Sequence, residues 1–211
     1  MPRMARRGDE LRSHVLSAAR GVFLEMGFER ASMDEVASRA QTTKRSLYAH
    51  FESKEKLFLA VIDRQRGRFL ERLKVPEAYS SRPAEALVQF CGRYLEVIIY
   101  EPSVQMLRVT MAETTRFPEA AVQHHDVMFV AVSTRLAGYL KTTFRLSARA
   151  STDAAQRLLG QILFPLLPRA LFGLEECIEE FDPRALSPKV DLRPVRTAVA
   201  ELIESVPKSR R

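Results

Sequence analysis

Hydrophobic positions near the start of the chain recur with the period of an amphipathic helix. Between residues 9 and 27 they fall every three or four residues, at Leu11, Val15, Ala18, Ala19, Val22, Phe23 and Met26. Gly27 follows, at the kind of position where a helix ends in a left-handed residue. The pattern therefore predicts a first helix that buries one face and ends near Gly27.

Three further helices are predicted next, each preceded by a hydroxyl side chain that can cap it. Ser32 and Glu35 have the spacing of a capping box, in which the serine oxygen accepts from the glutamate N–H. A threonine pair precedes the segment from Lys44 to Phe51, and Ser53 precedes a longer apolar helix. Two short capped helices joined by a tight turn predict a helix-turn-helix motif.

Longer helices are predicted after the segment 75–83, which contains two prolines and two serines and has no periodicity. They are expected at about residues 84–100, 103–116, 119–144, from about 152 onward, and 191–206. Pro165 and Pro168 must kink or break the helix that begins near residue 152, because each lacks an N–H donor.

The predicted fold class is therefore all-α, with about nine helices and two functional parts. Residues 1–54 are expected to form an N-terminal three-helix domain with the helix-turn-helix, and residues 55–82 a connecting helix and linker. Residues 83–211 are expected to form a larger C-terminal helical domain.

Positive charge is concentrated in the N-terminal third of the chain. Residues 1–74 contain 16 Lys and Arg against 10 Asp and Glu, whereas residues 75–211 contain 17 against 16. A basic segment attracts polyanions, of which nucleic acid and anionic membrane are the usual ones.

A membrane partner is not favoured by the apolar pattern. The apolar stretch 162–174 is interrupted by Arg169 and two prolines, and it is shorter than the roughly 20 residues of a membrane span. The basic N-terminus lacks the apolar stretch of a signal peptide. Cys91 and Cys177 lie far apart in apolar helical context, which is typical of two buried, reduced thiols in a cytoplasmic protein.

Residues 22–58 contain a specific pattern of glycine, aliphatic, hydroxyl and aromatic positions. Its members are Phe23, Gly27, Phe28, Ala31, Ser32, Val36, Ala37, Ala40, Lys44, Ser46, Leu47, Tyr48, His50, Phe51, Ser53, Lys54, Glu55 and Leu57. In these positions the segment resembles the TetR family of bacterial transcriptional regulators, and is AcrR-like. The chain length and the helix count are similar to those of the family as well.

Three positions depart from the family pattern. Gln41 replaces the usual turn glycine, so a left-handed backbone there costs more than it does with glycine. Thr42 and Thr43 replace a Val-Ser pair, and Ala49 replaces a bulky aromatic residue or histidine. The last two departures concern base contacts rather than the fold.

The resemblance implies that Ser32, Tyr48 and Lys54 contact DNA phosphates while the second helix of the motif enters the major groove. The matching positions of the turn and this recognition helix are Thr42, Thr43, Lys44, Arg45, Ser46 and His50. Arg45 is the expected base reader, because a guanidinium pairs bidentately with guanine. The alternative for each residue is an ordinary solvated side chain.

Other residues of this part have supporting roles in the prediction. Leu47 and Phe51 lie four residues apart and are expected to hold the recognition helix to its core. Ala49 leaves room for a thymine methyl group. Arg3, Arg6 and Arg7 are candidates for an N-terminal arm that reaches adjacent DNA, with a solubilising tail as the alternative.

For the C-terminal domain the resemblance implies a ligand cavity and a dimer interface. The candidates for an apolar pocket, with plain core packing as the alternative, are Met106, Met111, Phe117, Met128, Phe129 and Phe164. The candidates for the dimer seam are Leu158, Leu159, Ile162, Leu166, Val199, Leu202 and Ile203. The adjacent His124 and His125 lack the spacing of metal ligands, so neither a metal nor another cofactor is expected.

The expected function is that of a sequence-specific, dimeric repressor that a small-molecule effector releases from a palindromic, double-stranded DNA operator. The alternative is an activator, or a DNA-binding module regulated by a protein partner. An enzyme is not expected, because no nucleophile elbow or glycine-rich phosphate loop occurs in the sequence.

Overall fold

Eleven α-helices follow one another through the described part of the chain, which is residues 2–206 of a computed structural model, with side chains described from residue 8 onward. They are α1 (Pro2–Arg30), α2 (Met33–Arg39), α3 (Lys44–His50), α4 (Lys54–Arg72), α5 (Pro83–Ile98), α6 (Glu101–Ala112), α7 (Pro118–His125), α8 (Ala131–Thr143), α9 (Ala148–Leu163), α10 (Leu167–Leu171) and α11 (Arg193–Ser205). The pairing of extended backbone in these residues is limited to an isolated bridge between Tyr100 and Ile178. The prediction of an all-α fold is confirmed.

Helix boundaries differ from the predicted ones at three places, each for a local reason. Gly27 has φ 73° and ψ 173°, which breaks the helical geometry inside α1, but helical backbone resumes and reaches Arg30. The predicted helix 119–144 consists of α7 and α8 joined by a π-helical turn at Asp126–Val130. The helix that begins at residue 148 is broken rather than kinked, because Pro165 falls between α9 and α10.

The chain divides into two compact units that do not follow the sequence order. The first contains the chain up to Gly67 together with Gln105–His124, and the second contains Arg68–Val104 and the chain from His125 onward. The functional boundaries expected after residues 54 and 82 stay a prediction, since compactness and function are separate criteria.

The first unit is built around buried aromatic rings. The rings of Phe23 and Phe28 each lie 5.0 Å from that of Phe58, and the Phe28 ring lies 5.1 Å from that of Phe117. Apolar faces of α1, α2, α3 and α4 meet on this cluster, since it includes Val36, Leu47 and further buried residues of these helices. The cluster gives the short helices a common apolar surface on which to pack.

The second unit is organised around α5, which is buried along most of its length. Helix α11 packs on α5 and α9, and α8 packs on α9. Inside α5, the Arg93 guanidinium lies 2.5 Å from the Glu96 carboxylate, with both side chains almost fully buried. Cys91 is also buried there, and its burial raises the pKa of the thiol to about 12.

Candidate functional site

The helix-turn-helix forms from α2 and α3, and each helix begins at the hydroxyl cap expected from the sequence. The Ser32 hydroxyl accepts from the Glu35 N–H at 3.1 Å, and the Thr43 hydroxyl accepts from the Ser46 N–H at 3.1 Å. The Glu35 carboxylate accepts from Arg39 at 3.2 Å. The serine half of the capping box is therefore formed, while the glutamate faces an arginine.

The turn between the two helices has left-handed backbone at a residue other than glycine. Gln41 has φ 49°, in the place where the family pattern has glycine. The Thr42 N–H donates to the Ala37 carbonyl and the Gln41 N–H donates to the Ser38 carbonyl, each at 3.0 Å. These two bonds close the end of α2 in the manner of a Schellman motif, although the β-carbon of Gln41 makes this conformation less favourable than with glycine.

Helix α3 has one buried face and one exposed face. Leu47 is fully buried, and Phe51 follows it as a buried C-terminal cap. The exposed side chains of the helix belong to Lys44, Arg45, Tyr48, Ala49 and His50, and Ser46 is half-buried. Tyr48 exposes 43% of its surface, which is unusual for a large ring and leaves its hydroxyl accessible. The two anchors therefore leave a polar, cationic face available to a duplex.

Lys44 is held by α2 rather than extending freely into solvent. Its ammonium lies 2.8 Å from the Asp34 carboxylate, and the hydrogen bond to Asp34 is the main reason that the pKa of Lys44 is raised. Both side chains are more than half exposed, so the pair is accessible to a competing anion.

Lys54 occupies a more enclosed position than the sequence suggested. Its ammonium donates to the carbonyls of Phe28, Glu29 and Ala31 at 2.9, 3.2 and 3.0 Å, and lies 4.4 Å from the centre of the Phe28 ring. An ammonium has three protons to donate. In this structure Lys54 therefore joins the start of α4 to the end of α1, and its expected phosphate contact stays a prediction.

Side chains already accept hydrogen bonds from the N–H groups at the N-terminus of α4. The Ser53 hydroxyl accepts from the Lys56 N–H at 3.2 Å. The pKa of Glu55 is lowered, first by a hydrogen bond from its own backbone N–H and then by Ser53. A carboxylate and a hydroxyl thus already serve this helix end.

The arm residues Arg3, Arg6 and Arg7 lie outside the side chains that the structure describes.

The six candidates for a ligand pocket are divided between the two units, and a pocket that they share stays a prediction. Met106 and Phe117 belong to the core of the first unit, whereas Met111 and Phe164 are exposed by 57% and 79%. Met128 is buried in the second unit. Phe129 is the member of the set that lines a sizeable cleft. The apolar pattern therefore did not predict which of these side chains are buried or which of them line a cleft.

That cleft lies within the second unit and has a volume of about 490 Å³. We call it the α8–α9 cleft, and its lining residues are Tyr94, His125, Phe129, Val130, Ser133, Thr134, Ala137, Thr152, Gln156, Leu159 and Leu163. The volume is within the range of about 300–1,000 Å³ that is typical of small-molecule sites. The missed signal was polar: Thr152 and Gln156 are four residues apart on α9, and Ser133 and Thr134 are adjacent on α8.

The predicted dimer seam stays a prediction. Leu158, Leu159, Ile162, Val199 and Leu202 are each less than 9% exposed within the single chain, and Leu166 and Ile203 are half-buried. Within the chain, helix α11 packs on α5 and α9. The large apolar side chains that the described residues of the second unit expose are Val75, Val130, Phe164, Phe172 and Leu174.

The two adjacent histidines have separate surroundings. His124 is buried and lies 3.0 Å from the Thr110 hydroxyl, whereas the exposed His125 lies 3.1 Å from the Asp126 carboxylate. In the described residues, clusters of three or more metal-binding side chains do not occur. Among the described helices, none is sufficiently long and apolar to span a membrane.

Two family models match this chain. Residues 15–61 match the model described as bacterial regulatory proteins of the tetR family. Residues 85–189 match the model described as the C-terminal domain of AefR-like transcriptional repressors. Together the two matches include the helix-turn-helix and all the residues that line the α8–α9 cleft.

Curated relatives match over part of the chain. The transcriptional activator FasR of Mycolicibacterium smegmatis is 50% identical over 56 residues, which are 26% of this chain and 26% of that protein. The A-factor receptor protein of Streptomyces griseus is 43% identical over 65 residues, which are 31% and 23%. The repressor NicS of Pseudomonas putida is 30% identical over 93 residues, which are 43% and 44%. This chain therefore spans less than half the length of each of these relatives.

Solved structures match over nearly the full chain. A TetR-family regulator from Mesorhizobium loti aligns with a TM-score of 0.77 and 21% identity, over 94% of this chain and 97% of that one, which supports the fold. The Flavonoid-responsive Regulator FrrA aligns with a TM-score of 0.71 and 27% identity, over 95% and 100%.

Proposed function

This chain belongs to the TetR family of bacterial transcriptional regulators, and from that premise we propose that it is a dimeric repressor released from its operator by a small molecule. The observation that carries the proposal is the pairing of an exposed cationic face on α3 with a separate cleft between α8 and α9. The first suits a DNA duplex and the second suits an effector.

On the DNA side, we propose that Arg45 reads a base and that Lys44 meets a phosphate. Arg45 is exposed near the start of α3, and the residues at the start of a recognition helix face base edges. Lys44 already makes a salt bridge with Asp34, and a phosphate can replace that carboxylate as its partner. Tyr48 and Ser32 support this face with accessible hydroxyl groups.

The DNA roles are tested with two single variants measured by fluorescence anisotropy on operator and random duplexes. Arg45→Ala should cost about 1–3 kcal/mol on the operator and relax preference at one base pair. Lys44→Ala should weaken binding to both duplexes alike and reduce the salt slope by about one unit. Equal loss on both duplexes for Arg45→Ala would assign that residue to phosphate instead.

On the effector side, ligand binding in the α8–α9 cleft shifts the chain toward a state with lower affinity for the operator. A ligand moves such an equilibrium only by its difference in affinity for the two states, and coupling of 1–3 kcal/mol is typical. FrrA, a structural relative of this chain, is named as a flavonoid-responsive regulator.

A dimer is proposed because one helix-turn-helix makes few contacts, whereas a two-fold dimer reads two half-sites one helical turn apart. For its surface we propose the segment that follows α9, where Phe164, Phe172 and Leu174 expose 79%, 82% and 64% of their area. Sedimentation of the Phe164→Ser, Phe172→Ser double variant tests this surface. An unchanged dimer would remove it from the interface.

An activator is the alternative, since FasR carries that description whereas NicS is described as a repressor. Capture of genomic fragments, followed by a reporter gene under the captured promoter, decides between them. Deleting the protein should raise expression from its target promoter, and reduced expression would establish activation instead.

A further inference from the structure

The α8–α9 cleft has polar lining groups that are uncharged. Its eleven lining residues include no Lys, Arg, Asp or Glu. On α8 the polar groups are the hydroxyls of Ser133 and Thr134. On α9 they are the Thr152 hydroxyl and the Gln156 amide, and His125 lies beside the π-helical turn. A ligand that enters would meet hydrogen-bonding groups without a counter-charge from Lys, Arg, Asp or Glu.

The inner side of the cleft is aromatic and aliphatic. Tyr94, Ala137 and Leu159 are buried by more than 90%, and Phe129 lies next to them in the lining. The Tyr94 hydroxyl donates to the Met128 carbonyl at 2.9 Å. Burial raises the pKa of Tyr94, so this group remains a neutral donor at physiological pH. With its hydroxyl engaged and its side chain fully buried, Tyr94 forms part of an uncharged wall of the cleft.

Several helical hydroxyls of the second unit already donate to a backbone carbonyl, whereas three polar side chains of the cleft lining do not. Thr142, Thr152 and Thr197 each donate to the carbonyl four residues earlier, at 3.0 to 3.2 Å. Within the described part of the chain, the side chains of Ser133, Thr134 and Gln156 make no hydrogen bond. The half-buried Ser133 and the exposed Thr134 and Gln156 therefore bring three uncommitted polar groups to one cleft of ligand size.

We propose that this cleft binds uncharged aromatic molecules with hydroxyl or carbonyl groups at their edge, such as phenols and polyphenols. The proposal rests on the proposed function in taking this ligand to be the effector. Aromatic rings stack against Phe129, beside the buried Tyr94, while the edge groups exchange hydrogen bonds with Ser133, Thr134 and Gln156.

Selection against ions follows from the same surroundings. An ionised group that leaves water without a partner loses far more hydration than a hydroxyl that finds one. Asp126, which lies 3.1 Å from His125 beside the opening, adds negative charge and disfavours carboxylates further. The cleft is therefore expected to prefer a phenol over a carboxylate of the same shape.

The test uses biphenyl-4-ol and biphenyl-4-carboxylate as matched probes, with biphenyl as the unsubstituted reference. The chain has five tyrosines, which absorb and emit in the ultraviolet range of biphenyls, so binding is measured by isothermal titration calorimetry. The full-length protein should bind the phenol at least about tenfold more tightly than the carboxylate, a difference of about 1.4 kcal/mol. Equal or tighter binding of the carboxylate, or no binding of the phenol up to its solubility, would overturn the proposal.

A variant pair assigns that preference to the cleft. Thr134→Val keeps the shape of the side chain and removes its hydroxyl, and Thr197→Val makes the same change on the exposed face of α11 outside the cleft. Thr134→Val should weaken the phenol about fivefold, as expected for one lost hydrogen bond, and leave biphenyl unchanged. Thr197→Val should change neither. Equal effects of both variants would count against a direct contact.

Operator binding is measured separately, by anisotropy with and without biphenyl-4-ol. If the phenol binds but operator affinity is unchanged, the cleft assignment stands and release by this ligand fails. If an anionic effector releases the operator while the phenol does not bind, the proposed function stands and the present inference fails. The two results therefore distinguish the two proposals.

Discussion

The α2–α3 segment and helix α5 differ in how far along the chain their stabilising partners lie. In the α2–α3 segment the caps at Ser32 and Thr43 bond to residues three positions away. In α5, Arg93 donates to the carbonyl of Asp182 at 2.8 Å, and Glu96 accepts from the N–H of Ser187 at 2.9 Å. These partners are 89 and 91 residues away in sequence.

This difference indicates which substitutions are expected to reduce the free energy of unfolding most. A cap is exposed to water in the unfolded chain and at the helix end, so its loss is partly compensated by solvent. The loss of a buried ion's partner cannot be compensated by solvent in this way, because the remaining charge stays unpaired in a medium of low polarity. We therefore expect larger losses of stability at distant, buried partners than at local caps.

The largest effect is expected for Glu96→Ala. The change leaves the Arg93 guanidinium buried without its carboxylate, which should reduce the free energy of unfolding by about 3 kcal/mol or more. Glu85→Ala is the matched control, because Arg196 and Glu85 are 54% and 26% exposed, whereas the Arg93–Glu96 pair is almost fully buried, and the exposed pair should contribute less than about 1 kcal/mol. Urea denaturation measures both. Similar losses of unfolding free energy for the two variants would contradict the expected difference between a buried and a more exposed ion pair.

A second large effect is expected from His124, whose Thr110 partner is 14 residues away. Burial, with a smaller contribution from the charge of Arg66, lowers the pKa of His124 from 6.5 to about 4. The unfolded chain therefore binds more protons between these two values. The contribution of His124 to stability is complete above pH 6.5 and falls by about 3 kcal/mol as the pH approaches 4.

Urea denaturation between pH 7 and pH 4 measures this dependence. His124→Asn should flatten the fall, whereas His125→Asn, a change at the neighbouring exposed histidine, should retain it. Carboxylates contribute to the fall in all three proteins, so the difference between the variants is the quantity of interest. A His124→Asn protein with the slope of the original chain would contradict the assignment.

A smaller effect is expected for the cap of α3. Thr43→Ala removes the hydroxyl that accepts from the Ser46 N–H and should cost about 1 kcal/mol of stability. Thr42→Ala, at the adjacent residue, removes a hydroxyl that does not cap the helix and should change stability by less than half of that. Thermal unfolding followed by circular dichroism compares them, and a larger loss from Thr42→Ala would refute the cap.

The smallest effect, of opposite sign, is expected for Gln41→Gly. Glycine takes the left-handed backbone of this turn without the steric cost of a β-carbon, although it loses more freedom on folding. The net result should be a gain of about 0.5 to 1 kcal/mol. Arg145→Gly, at the other described non-glycine residue with positive φ, should shift stability in the same direction. A loss at Gln41 would indicate that its side chain makes a compensating contact.

Most features of the α2–α3 segment were predictable from the sequence. The capping side chains and the anchors Leu47 and Phe51 depend on residues within one or two turns of a helix, whereas the left-handed turn at residue 41 was expected only from the resemblance to the TetR family. The same local rules predicted that prolines interrupt the helix near residue 165. Features that depend on neighbouring residues can therefore be predicted from the sequence alone.

Packing between distant segments determines which apolar and polar side chains line the same cleft or core. Met106 and Phe129 are both apolar candidates in the sequence, yet one lies in the core of the first unit and the other lines the α8–α9 cleft. Leu158 and Val199 are already buried within the single chain, which their helical pattern alone did not show. Helical periodicity gives the direction of a face but not the partner opposite, because that partner is fixed by packing between distant segments.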